Sequence, residues 1–264
     1  MLSLIKKLLI KISSIFILSA RNWEDERLIL LAKNLMATES WKSDLNFQKL
    51  SIKEFKVYSQ WGDDGIIQFL VKSLKIKNKN FIEFGVADYF ESNTHFLLIN
   101  DNWNGFVIDG SKKNINTLRG SSINWRYNIN SEALFITSEN INELIARSGF
   151  EKLGLLHIDL DGNDYWILKE LNLSKLQPDI LILEYNTNFG YERAITVPYK
   201  EDFYRLEAHY SGQYFGASLK ALNTLAESKG YYFVGSNSSG VNAYFLLNKY
   251  TNIIPKISVK DGYV

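Results

Sequence analysis

The chain contains no cysteine, which excludes a disulfide framework, a thiolate zinc site and a cysteine nucleophile, and fits a reducing, cytoplasmic compartment. Net charge is nearly absent as well. The 30 Lys+Arg against 29 Asp+Glu leave +1 at pH 7, so no overall field draws the chain to nucleic acid, and no nucleic-acid partner is expected. Long unbroken apolar runs are missing: the most apolar stretch, Met1–Ala20, is interrupted by Lys6, Lys7 and Lys11 and is too short to span a bilayer. There is no internal repeat or low-complexity linker. What remains is ample core material, since 264 residues with 46% hydrophobic and 14% aromatic side chains suffice for one sizeable domain.

Residues 1–20 place Ser3, Lys6, Lys7, Lys11, Ser13 and Ser14 within one arc of a helical wheel, opposite an aliphatic face. An amphipathic basic helix of this kind suits the membrane interface, with lysine stems reaching toward anionic headgroups. A helix packed on the protein's own core or on a second copy in a homo-oligomer, and a signal peptide cut near Ser19-Ala20, are the rival readings. Residues 21–57, with Trp23, Leu28, Leu31, Leu35 and Trp41 near helical spacing, read as a helical cap or connector.

From residue 58 to about 250 helices alternate with strands. Strands are expected at Phe81–Gly85, Phe106–Asp109, around Ala133–Thr137, Leu155–Asp159 and Ile180–Glu184, with helices between them, which implies a mostly parallel sheet. The strands Tyr231–Gly235 and Val241–Leu247 are joined by so short a segment, Ser236–Gly240, that they must be antiparallel. The fold class is therefore α/β, a Rossmann-like arrangement closed by one antiparallel C-terminal strand, with an N-terminal helical extension and a C-terminal tail over 251–264.

The strand ends carry the chemistry. Phe81–Phe84 runs into Gly85, which permits a sharp turn and close approach to a ligand, with Glu83 at the strand end. The turn has a single glycine, and Ala87, Asp88 and Glu91 bring bulk and negative charge. That argues against a pyrophosphate and suits a ligand bearing an ammonium and a sulfonium. Asp109 closes the next strand where such sites place a carboxylate on ribose hydroxyls, although it also suits a helix N-cap. Asp159 and Asp161 share one strand parity and Glu184 and Asn186 another, so all can address one crevice. Asp159, Glu184 and Asn186 are candidate ligands for Mg²⁺ or another hard divalent cation, and Asp161 a ligand or catalytic acceptor contact. Asp161, Asn163 and Asp164 read equally as turn formers and caps. His157 on an apolar strand reads as a core residue and His95 as structural. His209, in a loop, is the best-placed general base. Tyr199, Tyr204, Tyr210 and Tyr214 form either a sugar-stacking wall or a satellite core.

The blocks Ser59–Gly65 (SQWGDDG), Glu83–Thr94 (EFGVADYFESNT), Gly105–Ser111 (GFVIDGS), His157–Asp164 (HIDLDGND), Leu183–Asn186 (LEYN), Thr196–Tyr199 (TVPY) and Tyr214–Leu222 (YFGASLKAL) together resemble the FkbM-like S-adenosylmethionine-dependent methyltransferases. The likeness is strongest to a branch associated with bacterial surface-polysaccharide biosynthesis. The resemblance implies a Rossmann-like methyltransferase fold and S-adenosylmethionine as donor, held at Glu83, Gly85, Asp88 and Asp109, with Gln60 of the lead-in block near its methionine part. It further implies O-methylation of a small hydroxylated acceptor, with a glycan sugar expected. The location would be cytoplasmic, on the inner membrane if residues 1–20 bind there. The single-glycine turn departs from the usual first motif. Two readings of another class stay open: a methyltransferase-like binding or scaffold protein, and, on the DLDG run at Asp159–Gly162, a phosphatase with an aspartyl nucleophile.

Overall fold

Near-continuous apolar runs mark strands covered on both faces. In the computed structural model, which describes residues 25–38, 41 and 49–264, Ile82, Phe84, Phe106, Ile108, Leu156, Ile158, Leu181 and Leu183 share one core with Ile141, Leu144, Ile167, Leu168 and Leu222 of the helices. The alternate positions Phe81, Val107, Leu155, Ile180 and Ile182 are equally buried, and period-two alternation puts them on the opposite face.

The chain divides into two units, Met1–Asp44 and Leu45–Val264. Of the first, a helix over 25–37 is described, while the expected helix over 1–20 lies outside the described residues. The second unit opens with a 3₁₀ turn at Leu50–Lys53 and then alternates: α1 (Asp63–Ser73), β1 (Asn80–Phe84), α2 (His95–Asp101), β2 (Asn104–Asp109), α3 (Lys112–Arg119), α4 (Ser122–Arg126), β3 (Ile129–Ala133), α5 (Ile141–Ala146), β4 (Leu155–Ile158), α6 (Asp164–Glu170) and β5 (Ile180–Glu184). It closes with α7 (Arg205–Ala208), α8 (Leu219–Ser228), β6 (Tyr231–Ser236), β7 (Asn242–Leu247) and α9 (Val259–Gly262). The seven strands lie in the order β3-β2-β1-β4-β5-β7-β6. Strands β1 to β5 pair in parallel, whereas β7 is antiparallel to both β5 and β6. This is an α/β, Rossmann-like methyltransferase fold with its antiparallel closure, as the alternation predicts. Among the described residues no helix is long and apolar enough to cross a membrane.

Two local departures follow from side-chain chemistry. The third strand is at Ile129–Ala133, not around Ala133–Thr137: Ile129 and Ser131 point inward along an edge strand, while the more apolar Leu134–Ile136 leave the sheet to line a cleft. Residues 251–264 return to the sheet, where Gly262 sits against Phe233 and the Val264 N–H donates to Tyr185 Oη at 3.4 Å.

Strand order reverses between β1 and β4, the topological switch point where open α/β sheets bind ligands at their carboxyl ends.

Candidate active site

Gly85 leaves β1 at φ +74, and a Cβ there would fall 1.6 Å from the carbonyl oxygen of Asp159. Only glycine allows the turn after β1 to pack against the end of β4. The Gly85 N–H donates to Ile108 O at 2.9 Å, which ties the same turn to β2. Asp109 completes the tie: Oδ2 accepts from Ala87 N at 2.8 Å, and Oδ1 from Ser111 N at 2.8 Å and Asn114 Nδ2 at 3.4 Å. An ionised carboxylate offers about four acceptor directions, so Oδ2 retains one for a ligand hydroxyl. Beside it stand Leu134, Phe135 and Ile136, with the Phe135 ring half-exposed.

The other end of the cleft is acidic. Register pairs Ile158 with Leu183, so the next residues, Asp159 and Glu184, emerge side by side. Asp164 opens α6, and its Oδ1 and Oδ2 accept from Leu160 N at 2.8 Å and Gly162 N at 3.1 Å, which holds the turn. One carboxylate oxygen of each of Asp159, Asp164 and Glu184 lies within 4.8 Å of the others. Burial pushes Asp159 up to about 6, with the positive field of His157 pulling it back. Asp164 is pushed up to about 7 by burial and the charge of Asp159. Glu184 goes well above the carboxylate range through burial and then the charges of Asp159, Asp164 and Asp161.

A flap spanning Phe203 to Phe215 borders this end. Arg205 organises it: Nη1 pairs with Asp161 Oδ1 at 2.8 Å, Nε donates to Gly212 O at 2.6 Å, and the guanidinium lies 3.8 Å from the Phe215 ring centre. The half-open cleft is about 1220 Å³ and runs from Asp109 and Phe135 to Asp159, Glu184 and the flap, with Gln60 and Trp61 also on its wall. That exceeds a usual single-ligand pocket of roughly 300–1,000 Å³, so two ligands fit side by side.

Of the residues singled out in the sequence, Gln60, Gly85, Asp109, Asp159, Asp161, Glu184 and Asn186 all line this cleft. Glu83 does not. It faces the interior, where Oε1 accepts from Asn93 N at 3.0 Å, Oε2 from Thr94 N at 3.2 Å and from Thr94 Oγ1, and His157 Nδ1 lies 2.9 Å from Oε1. Burial works against both charges, but the mutual hydrogen bond and attraction outweigh it, holding Glu83 below and His157 above their ordinary values. Asp88 is also outside the lining, with Oδ1 accepting from Phe90 N at 3.2 Å in its own turn. His209 is exposed, 2.7 Å from Ser211 Oγ, and faces no part of the cleft. Asn186 is in the wall, but its amide oxygen accepts from Asn188 N at 3.0 Å and its Nδ2 donates to Gln213 O and Phe215 O at 2.8 and 3.0 Å. It staples the flap, and the third acid beside Asp159 and Glu184 is Asp164.

The lead-in block divides its labour. Asp64 Oδ2 accepts three N–H groups, from Val57, Tyr58 and Ser59 at 2.7, 2.7 and 3.1 Å, while Asp63 is held inside by Asn237, Asn242 and Tyr244. Only Gln60 and Trp61 reach the cleft. Of the four tyrosines, Tyr204 lines it, whereas Tyr199 donates to Glu139 Oε2 at 3.0 Å, and Tyr210 and Tyr214 are exposed outside it. Arg205, Trp61 and Phe135 also line the cleft; Trp61 lies inside the lead-in block and Phe135 in the expected third strand, whereas Arg205 falls in no motif block.

No family model matches the chain, and no curated protein matches it. Among solved structures it is similar to the plantazolicin methyltransferase BpumL in complex with a monoazolic desmethylPZN analog and SAH, at 12% identity over 86% of this chain and 99% of that one, TM-score 0.45. It is also similar to an S-adenosylmethionine-dependent methyltransferase from Clostridium acetobutylicum, at 10% identity over 70% and 90% of the two chains, TM-score 0.43. A third is the Methanococcus jannaschii fibrillarin pre-rRNA processing protein, at 12% identity over 65% and 69%, TM-score 0.40. Two of these three structures carry the name methyltransferase, and no branch is singled out.

Proposed function

We propose that the chain is an S-adenosylmethionine-dependent O-methyltransferase acting on a hydroxyl of a small acceptor, with a sugar of a bacterial surface glycan as the acceptor class. The observation that carries this is that the Gly85–Asp109 turn and the acidic strand ends line one cleft large enough for two ligands.

The residues present fit the donor. Asp109 Oδ2 has an acceptor direction left for a ribose hydroxyl, Leu134, Phe135 and Ile136 offer an apolar wall for a base, and Gln60 and Trp61 border the remaining part. When bound, the donor supplies an electrophilic methyl on a sulfonium. The protein's share is positioning, which can supply much of the acceleration of a bimolecular transfer. Asp161 stands at the acceptor end with one oxygen on Arg205; it receives the hydroxyl's hydrogen bond and takes its proton as the oxygen is methylated. The exposed Tyr204 ring, together with the side chains of Asn188, Ser211 and Gln213, supports a polyol acceptor, since a ring face stacks while amides and hydroxyls pair with its OH groups. Residues 1–20 would hold the enzyme peripherally on the inner membrane, where such glycans are built.

Calorimetric titration of the full chain with S-adenosylhomocysteine tests the proposal. Micromolar binding is expected, and Asp109→Ala should weaken it about 10- to 150-fold, the equivalent of a lost hydrogen bond to a charged acceptor of ~1.5–3 kcal/mol. Absence of binding by the wild-type chain would refute it.

A further inference from the structure

We propose that Asp159, Asp164 and Glu184 form a binding site for a hard divalent cation. The three arrive from different elements: Asp159 follows β4, Glu184 ends β5 and Asp164 opens α6. Their nearest carboxylate oxygens are no more than 4.8 Å apart, twice a Ca²⁺–oxygen distance of about 2.4 Å. Mg²⁺, at ~2.0–2.1 Å, needs a closer approach of the same groups. An all-oxygen set with three potential negative charges selects Ca²⁺, Mg²⁺ or Mn²⁺ over softer ions.

A second observation makes this more than an acidic cluster. Glu184 is 6% exposed, and its Oε2 is buried and accepts no hydrogen bond from an N–H or hydroxyl, the carboxyl group's one hydrogen-bonding contact being with the Asp159 carboxylate. Leaving such an oxygen unpaired is costly, and the cleft it lines is where a partner would enter. Nor does a direct ion pair supply the countercharge: among the described residues no Lys or Arg pairs with any of the three, and Arg205, engaged by Asp161, and His157, engaged by Glu83, act on Glu184 and Asp159 only through their fields. The N–H groups of Leu160 and Gly162 fix the Asp164 carboxylate in place, as outer contacts fix metal ligands generally. Asn163, which lines the same cleft, also has a buried and unpartnered Oδ1. Three protein ligands leave positions on the ion open toward the cleft, where water or acceptor oxygens complete the shell.

The site stands without the methyl-transfer reading, and the test separates the two. Full-length protein stripped with chelator is titrated with Ca²⁺, Mg²⁺ and Mn²⁺ by calorimetry, and Mn²⁺ occupancy is read by electron paramagnetic resonance; S-adenosylhomocysteine is titrated into the same samples. One cation site per chain is expected, weakened about 10-fold or more by Glu184→Gln and by Asp159→Asn. The cation should also raise the thermal midpoint of the wild type but not of the variants. No saturable site at about 10 mM, above the ~1 mM of weak protein Ca²⁺ sites, overturns the proposal whatever the variants do. So does unchanged binding in both folded variants. Nucleoside binding without a cation sinks the cation site alone; a cation without nucleoside binding sinks the methyltransferase reading alone.

Discussion

Replacing Glu83 with glutamine distinguishes a residue that holds the fold from one that holds the donor. The carboxylate is 2% exposed and His157 3%, and β1 and β4 place the two directly opposite each other in register. Stranding one member of a buried charged pair costs ~3–5 kcal/mol. Glutamine keeps an oxygen for the Asn93 and Thr94 N–H groups, so the low end, about 3 kcal/mol, applies. For a unit the size of Leu45–Val264 each kcal/mol shifts the midpoint by about 2–4 °C, so Glu83→Gln should melt about 6–12 °C below wild type. The pH dependence carries the sign. Glu83 is held below its ordinary 4.5, so its contribution is present above that value and lost as pH falls through the folded pKa. His157 is held above 6.5, so its contribution is present below that value and lost as pH rises through the folded pKa. The gap between wild type and variant is therefore widest between pH 4.5 and 6.5 and narrows on either side. Thermal unfolding across pH, with S-adenosylhomocysteine titrated well below the midpoint, reads both quantities. A variant with an unshifted midpoint and a tenfold loss of nucleoside affinity would refute the interior role assigned to Glu83.

Other substitutions separate packing from chemistry. Gly85→Ala adds about 1 kcal/mol of left-handed backbone strain to a clash with the Asp159 carbonyl that no side-chain rotation relieves; a loss of at least ~3 kcal/mol is expected, and a denaturant midpoint equal to wild type would contradict it. Arg205→Leu should lower global stability by less than about 2 kcal/mol, because its Asp161 partner is largely exposed, yet speed proteolysis between Tyr204 and Gly212 severalfold; unchanged cleavage would count against the flap. His209→Ala, at a solvated position, should leave nucleoside affinity and turnover within about twofold of wild type, and a hundredfold loss of turnover would restore it as the base.

The parts of this architecture legible in the sequence are those written in local pattern. Leu155–Ile158 and Ile180–Leu183 announce buried parallel strands, and Gly85, Asp109, Asp159 and Glu184 at strand ends point to the cleft that contains them. What escaped depends on pairings distant in the chain. Glu83 and His157 meet because β1 neighbours β4, which no spacing reveals, and the partnership turns Glu83 inward. Arg205 meets Asp161 only through the flap. Asp164 looks like a helix-opening residue and is one; its place beside Asp159 and Glu184 follows from the turn that its own hydrogen bonds create. Asn186 lines the cleft, but its Oδ1, the atom that would meet a cation, accepts from Asn188 N and Nδ2, while its Nδ2 donates to the flap backbone. The third strand was misplaced because apolar Leu134–Ile136 imitate a strand while lining the cleft.

The claim that one cleft holds a nucleoside donor beside an acidic acceptor end is tested most directly by a crystal structure of the full chain with S-adenosylhomocysteine. The predicted result is adenine against Leu134–Ile136, a ribose hydroxyl on Asp109 Oδ2, and the sulfur directed toward Asp161. A ligand bound elsewhere, or a cleft that excludes it at saturating concentration, would contradict the account.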